Sequence, residues 1–326
     1  MIGILLNKCY REGRWLFVCI AAIMGSFCWL RVWMVSRIDA ARFEGIVDLL
    51  PTEWQKFSPV DIQFLITYTG RMAAAYSEPL VVFGVAAWAI SRASDVISGE
   101  LSRGTMEMLL AQPLSRWRVL WTHSLVTTAG TILLASTAWV STTVGIHTLQ
   151  IREEYRPTIP LPLPGPLFGA PVPNPLASKQ VRLIPMSKKV QAVEFLPAAV
   201  NLVCFGFFLA GVTTLFSACD RYRWRTIGAA CGVIVLSIIC KLTGMADVGW
   251  NGLRYFSVFS LYEPEHLIMI AHKFPDQAWS WLWRNGSGEL AGLGPLSYDA
   301  ILLLLGLLAY AMAAVIFHRR DLPAPT

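Results

Sequence analysis

No lysine in this chain is followed by serine or threonine. A P-loop needs that pair, because its lysine reaches the phosphates and its hydroxyl holds magnesium, so this stretch of chain carries no such ATP site. No histidine precedes a glutamate, which removes the H-E-x-x-H protease helix, and neither a G-x-S-x-G elbow nor a D-D-x-x-D pair occurs. The seven cysteines (Cys9, Cys19, Cys28, Cys204, Cys219, Cys231, Cys240) include no C-x-x-C pair. Most lie in apolar runs, where cysteine acts as a small hydrophobe, so neither a disulfide framework nor a zinc site is expected. Charge is scarce too, at 15% of 326 residues.

What remains is apolar. Hydrophobic residues make up 55% of the chain and tryptophan occurs 13 times, a balance that belongs to membrane proteins. A bilayer core of about 30 Å takes roughly 20 apolar residues of helix. Six segments qualify: about 15–36, 70–91, 121–147, 196–218, 226–246 and 299–317. The fold class expected is an all-α integral membrane protein with six transmembrane helices, in a single domain over 1–326. Lys8, Arg11 and Arg14 before the first run mimic a secretory signal, but Ser26-Phe27-Cys28-Trp29 lacks the small pair of a cleavage site, so an uncleaved span is expected.

Lysine and arginine set the direction. The N-terminal stretch, segment 92–121, the turn 219–225 and the tail 318–321 together hold 12 basic residues against 6 acids. Loops 37–69 and 247–298 each hold 3 basic against 5 acidic residues. Both termini are therefore expected in the cytoplasm. Loop 148–195 dissents with 6 basic against 3 acidic, but long loops weigh little under this rule. The formal charge of +6 is explained by these loops without nucleic acid. Trp15, Trp88, Trp117, Trp121 and Trp224 are placed at the inner interface, and Trp29, Trp33 and Trp250 at the outer one. Residues 157–175 hold eight prolines, which favour extended polyproline over helix or sheet and read as a solvated connector. Residues 254–283 are too polar to span and read as interfacial or re-entrant helices.

Two ionisable residues fall inside spans, Glu78 and Lys241. Intramembrane charge is costly, so each asks for a reason. Pro79 frees a carbonyl beside Glu78 and kinks the helix, which can open a polar pocket. Glu78 is a candidate for the translocation path, paired with Lys241, against the plainer reading of two structural, snorkelling or pair-neutralised charges. Glu263, Glu265, His266 and His272 are the best metal candidates, but their spacing matches no standard site, and polar residues on an interfacial helix are the plainer reading.

Segment 92–121 is charged and helix-prone between two long apolar runs. Along 94–110, Ile97, Leu101 and Met108 fall on one face of a helix, while Glu100–Arg103 and Arg103–Glu107 have pairing separations. Pro113 halts that helix and Ser115 caps the next, giving a lever joined to the third span. Asp95-Val96-Ile97-Ser98-Gly99-Glu100-Leu101-Ser102-Arg103-Gly104-Thr105-Met106-Glu107-Met108-Leu109-Leu110-Ala111-Gln112-Pro113-Leu114-Ser115-Arg116 resembles the signature that follows the second span in type-2 ABC exporter permeases. Phe317-His318-Arg319-Arg320-Asp321-Leu322 is similar to that family's tail. The sharp motif covers about 95–118, and the proline-rich loop is longer than the family's usual one.

The resemblance implies the membrane half of an exporter in a prokaryotic inner membrane, dimeric with itself or a related permease. Cytoplasmic ABC ATPase subunits would hold the ATP and magnesium, leaving this chain with no cofactor and no catalytic residue. Asp95, Glu100, Arg103, Gly104, Thr105, Glu107 and Arg116 would form the ATPase-coupling segment, braced by an N-terminal interfacial helix with Ile2, Leu5, Leu6, Lys8, Cys9 and Arg11. Two rivals remain: a membrane enzyme using Glu78, Glu263, Glu265 and His266, and a scaffold that transports nothing.

Overall fold

The computed structural model describes residues 2–38, 60–106, 108, 115–155, 158–159, 172–173, 180–246 and 248–320. Six helices among them are long and apolar enough to cross a membrane. The first is α1 (Ile2–Arg37), 36 residues without a break. A separate N-terminal interfacial helix is therefore not seen. No proline or glycine pair interrupts the stretch, and Leu5 and Cys9 bury against Val119 of the third span, so packing extends the helix.

The second span comes in pieces. Thr67 caps α3 (Tyr68–Ser77) by accepting the Gly70 N–H, following the short α2 (Ile62–Ile66). α4 (Pro79–Ser94) then starts afresh. Proline lacks an N–H and disfavours a helical residue before it, so Glu78 is extended at φ −63° and ψ 141° and Pro79 becomes the first residue of the new helix. A π-turn (Asp95–Gly99) and a three-residue helix, α5 (Glu100–Ser102), follow.

α6 (Arg116–Thr148) begins at Ser115, whose hydroxyl accepts the Arg118 N–H as expected. Its threonines are the reason so polar a sequence crosses. Thr122, Thr127, Thr131, Thr137, Thr142, Thr143 and Thr148 each donate to the carbonyl four residues back, so their hydroxyls are satisfied within the helix. α7 (Leu196–Cys219), α8 (Arg223–Ala246) and α10 (Pro295–Arg319) complete the spans. Before α10 lies α9 (Pro264–Lys273), packed on α3 and α7 with Leu267, Ile268 and Ile270 buried.

α4 and α7 form the centre, with 72% of their spans buried, while α1 and α8 lie outside at 17% and 22%. α7 and α10 touch through backbone. A methyl on Gly211 would sit 2.5 Å from the Gly306 carbonyl oxygen. Small residues allow such approach where hydrophobic driving force between helices is absent. α1 and α6 meet similarly, with the Ser141 hydroxyl donating to the Gly25 carbonyl.

Among the described residues, three short antiparallel ladders lie between the spans. β1 (Gln150–Tyr155) pairs with β4 (Gln180–Pro185), Gln150 opposite Pro185, and β5 (Leu282–Arg284) pairs with β6 (Leu290–Leu293). β2 (Thr158–Ile159) pairs with β3 (Val172–Pro173). The expectation of polyproline rather than sheet over 157–175 thus fails at those four residues, since proline is tolerated at a strand's edge. The rest of that stretch, and most of 37–69, lies outside the described residues. Trp88 also departs from expectation. It is core, not an interface anchor: its ring is buried, Nε1 donates to the Thr127 carbonyl at 2.9 Å, and Gly130 leaves room for it.

Candidate functional site

At Ser94 the helical ladder widens. Ser217 of α7 reaches in and accepts the N–H groups of Ile97 (3.2 Å) and Ser98 (2.8 Å). A side chain inserted into the ladder explains the π-turn, because it takes donors that an α-helix would have given to its own carbonyls. The widened turn places Asp95 over Gly99, where a methyl would lie 2.2 Å from the Asp95 carboxylate. Any side chain there would have to displace that carboxylate from its present position.

Helix α5 then ends in a Schellman cap. Thr105 N–H bonds the Glu100 carbonyl (3.0 Å) and Gly104 N–H bonds that of Leu101 (3.1 Å), with Gly104 at φ +70°. A continuous amphipathic helix over 94–110 is therefore not formed. The π-turn and the left-handed glycine divide it, so that Ile97 is buried while Met108 is 66% exposed.

The cap closes an ion-pair network. The Glu100 side chain is wholly buried and accepts Lys8 Nζ at 2.8 Å, Arg103 Nη2 at 3.0 Å and the Thr105 hydroxyl. Arg103 Nη1 donates to Asp95 Oδ1 at 2.6 Å, and that hydrogen bond holds the guanidinium above its ordinary pKa against partial burial. Arg223 of α8 stands 3.5 Å from the same oxygen, and Arg92 bridges Asp95 (3.9 Å) and Glu12 (4.0 Å). Arg92 also donates to the Cys9 carbonyl. One cluster thereby joins α1, α4, α5 and α8, with Ser217 adding α7. Ligand oxygens of Glu12, Asp95 and Glu100 lie within 4.8 Å of one another. Four cations (Lys8, Arg92, Arg103, Arg223) already face these three carboxylates, so the charge is met without a divalent ion.

Of the coupling residues expected from sequence, Asp95, Glu100, Arg103, Gly104 and Thr105 come together. Glu107 lies outside the described residues. Arg116 sits elsewhere: its Nη1 donates to the carbonyls of Phe317 (2.9 Å), His318 (3.3 Å) and Arg320 (2.7 Å), fastening the start of α6 to the end of α10. Arg92, Arg223 and Ser217 were missed as site residues. Only Arg92, three residues before Asp95, had a local signal.

The pairing of Glu78 with Lys241 is corrected. Glu78 faces Arg31 at 3.6 Å, whereas Lys241 Nζ meets Glu263 at 3.1 Å and donates to the Phe259 carbonyl at 2.6 Å. The helix break turns Glu78 toward α1, while Lys241 is claimed by the segment after α8. The candidate metal ligands do not converge either. Glu263 is taken by Lys241, His272 Nδ1 lies 3.1 Å from Glu194, and His266 packs against the Trp283 and Tyr298 rings. Burial lowers the His266 pKa and raises that of Glu265, the latter opposed by a Ser77 hydrogen bond and the Lys241 charge.

The network, the third-span cap and the α10 tail lie at one end of the bundle, joined by the contacts of Lys8 with Glu100, Arg116 with the α10 tail, and Arg320 with the carbonyls of Ala218 and Asp220. No curated protein matches the chain. A family model described as "ABC-2 family transporter protein" matches residues 61–322, which include the π-turn, the capped turn and five of the six spans. The chain therefore belongs to the ABC-2 transporter family, as a multi-pass membrane permease component.

Proposed function

We propose that this permease couples ATP hydrolysis on separate cytoplasmic ABC ATPase subunits to export, working as a dimer in a prokaryotic inner membrane. ATP and magnesium belong to the partner. The network end faces the cytoplasm with both termini, which agrees with its excess of arginine and lysine. The observation that carries this reading is the built form of the turn. Ser102, Arg103 and Gly104 are exposed, while Glu100 beneath them is locked to α1 and, through Arg103 and Asp95, to α4 and α8. The exposed residues are the contact surface and the buried carboxylates are the transmission. A push on Gly104 reaches three spans through charge-assisted bonds, which are short and directional. Glu78, half-exposed at the break in the second span, remains the candidate path residue, with Arg31 as its partner.

The test is to purify the permease with its cognate ATPase in lipid and measure ATP turnover and substrate movement. Arg103→Ala is expected to lower coupled turnover about tenfold, the rate equivalent of about 1.4 kcal/mol. Unchanged turnover and transport with intact complex would sink the proposal.

A further inference from the structure

Two cavities at the network end share Trp117, Leu120 and Ala311, forming one groove between α6 and α10. The mouth, about 460 Å³, is lined by Arg116, His318 and Arg319. The inner part, about 230 Å³, runs past Trp121 to Leu125, Phe207 and Leu307. Among the described residues, no acidic one lines either part. From Arg116 to Thr128 the groove follows α6 for about 18 Å, comparable to the roughly 15 Å of one leaflet's hydrocarbon. Between mouth and tail the buried hydroxyls of Ser124 and Tyr310 pair with each other, so the wall there presents no free polar group.

We infer that this groove binds one anionic phospholipid, its phosphate at Arg116 and Arg319 and an acyl chain along Trp121, Phe207 and Leu307. The basic mouth matches an anionic headgroup and the apolar inner part an acyl chain. Exposed Trp117 and Trp121 flank the level where headgroup meets hydrocarbon. The inference requires only that the helices cross a bilayer, so it stands or falls apart from ATP coupling.

Native mass spectrometry of the whole detergent-purified protein, given equal amounts of phosphatidylglycerol and phosphatidylcholine with identical chains, tests it. Retention of the anionic lipid is expected to exceed the zwitterionic one about fivefold, the factor that roughly one basic residue contributes. The double variant His318→Gln/Arg319→Gln should remove most of that preference. Leu307→Trp, at a side chain 58% exposed, should fill the groove and lose both lipids without unfolding the protein, checked by thermal melting. Val235→Trp, on the distant α8 face and 55% exposed, should change nothing. Equal retention of both lipids by the wild type, retention surviving Leu307→Trp, or loss of a dimer in that variant (a second copy in the groove) would each overturn the assignment.

Discussion

Glu100 shows how much one side chain can organise. It is wholly buried, yet its partners Lys8 and Arg103 are a third or more exposed, so solvent screens part of each attraction. Glu100→Ala would strand three donors and is expected to destabilise by about 2–3 kcal/mol, below the full figure for a dry ion pair. Thermal unfolding in one lipid composition would measure it, with Glu100→Gln retaining part of the loss. Two glycines nearby should respond differently. Gly104 has open space around its missing methyl but a positive φ, so Gly104→Ala is expected to cost about 1–2 kcal/mol through backbone strain alone. Gly99→Ala meets the Asp95 carboxylate and should break the Asp95–Arg103 bond, seen as lost coupling as well as lost stability. At the opposite end, burial raises the Glu265 pKa, so the fold favours its protonated form. That contribution is full below the ordinary carboxylate pKa of about 4.3 and is lost as pH rises through the folded value. The melting temperature of Glu265→Gln should therefore fall less over that rise than the wild type's. Asp95, Glu100 and Arg103 were legible in sequence because they lie within nine positions of one another. Lys8 and Arg223, far along the chain, became partners only when α1 and α8 packed beside them.

Elements obeyed local chemistry until a neighbour intervened. The break at Glu78 followed from Pro79, and the start of α6 from Ser115, both readable in single residues. The π-turn was not, since its cause is Ser217, more than a hundred residues away. The uniform wheel expected over 94–110 failed for that reason and because Gly104 ends the helix. Trp88 shows the same limit: composition places tryptophan at interfaces, but Gly130 and a carbonyl on α6 made an interior seat for this one. The α7–α10 contact makes an element-scale prediction. Gly211→Ala forces a methyl against the Gly306 carbonyl, and overpacking of that kind costs about 1–3 kcal/mol. Gly228→Ala, on α8 with nothing near its missing methyl, should be neutral or slightly stabilising in the same melting experiment.

The whole molecule alternates six helices so that its N-terminal stretch, the capped turn and the α10 tail share one end. Arg320 reinforces this by donating to the carbonyls of Ala218 and Asp220, while Arg116 holds the tail, so two connections between spans and the tail are tied together. On the proposed function, a tied end would suit force transfer better than a set of separate loops. Orientation can be read with a thiol introduced as Ser102→Cys in a background free of the exposed Cys19, Cys219 and Cys231. In intact cells a membrane-impermeant reagent should label it only after permeabilisation. Labelling from outside would put the turn on the wrong face for any cytoplasmic engine.

The chain's own order of residues determined how many times it crosses the membrane, where the second crossing breaks, and which short segment carries the family's pattern. These follow from hydrophobic run length, proline geometry and closely spaced charge, all properties of neighbours along the chain. Tertiary structure alone decided which charges distant along the chain meet. Glu78 took Arg31, Lys241 took Glu263, and Glu100 took Lys8, because an ion pair depends on which helices lie side by side, and apolar spans are too alike for spacing to reveal that.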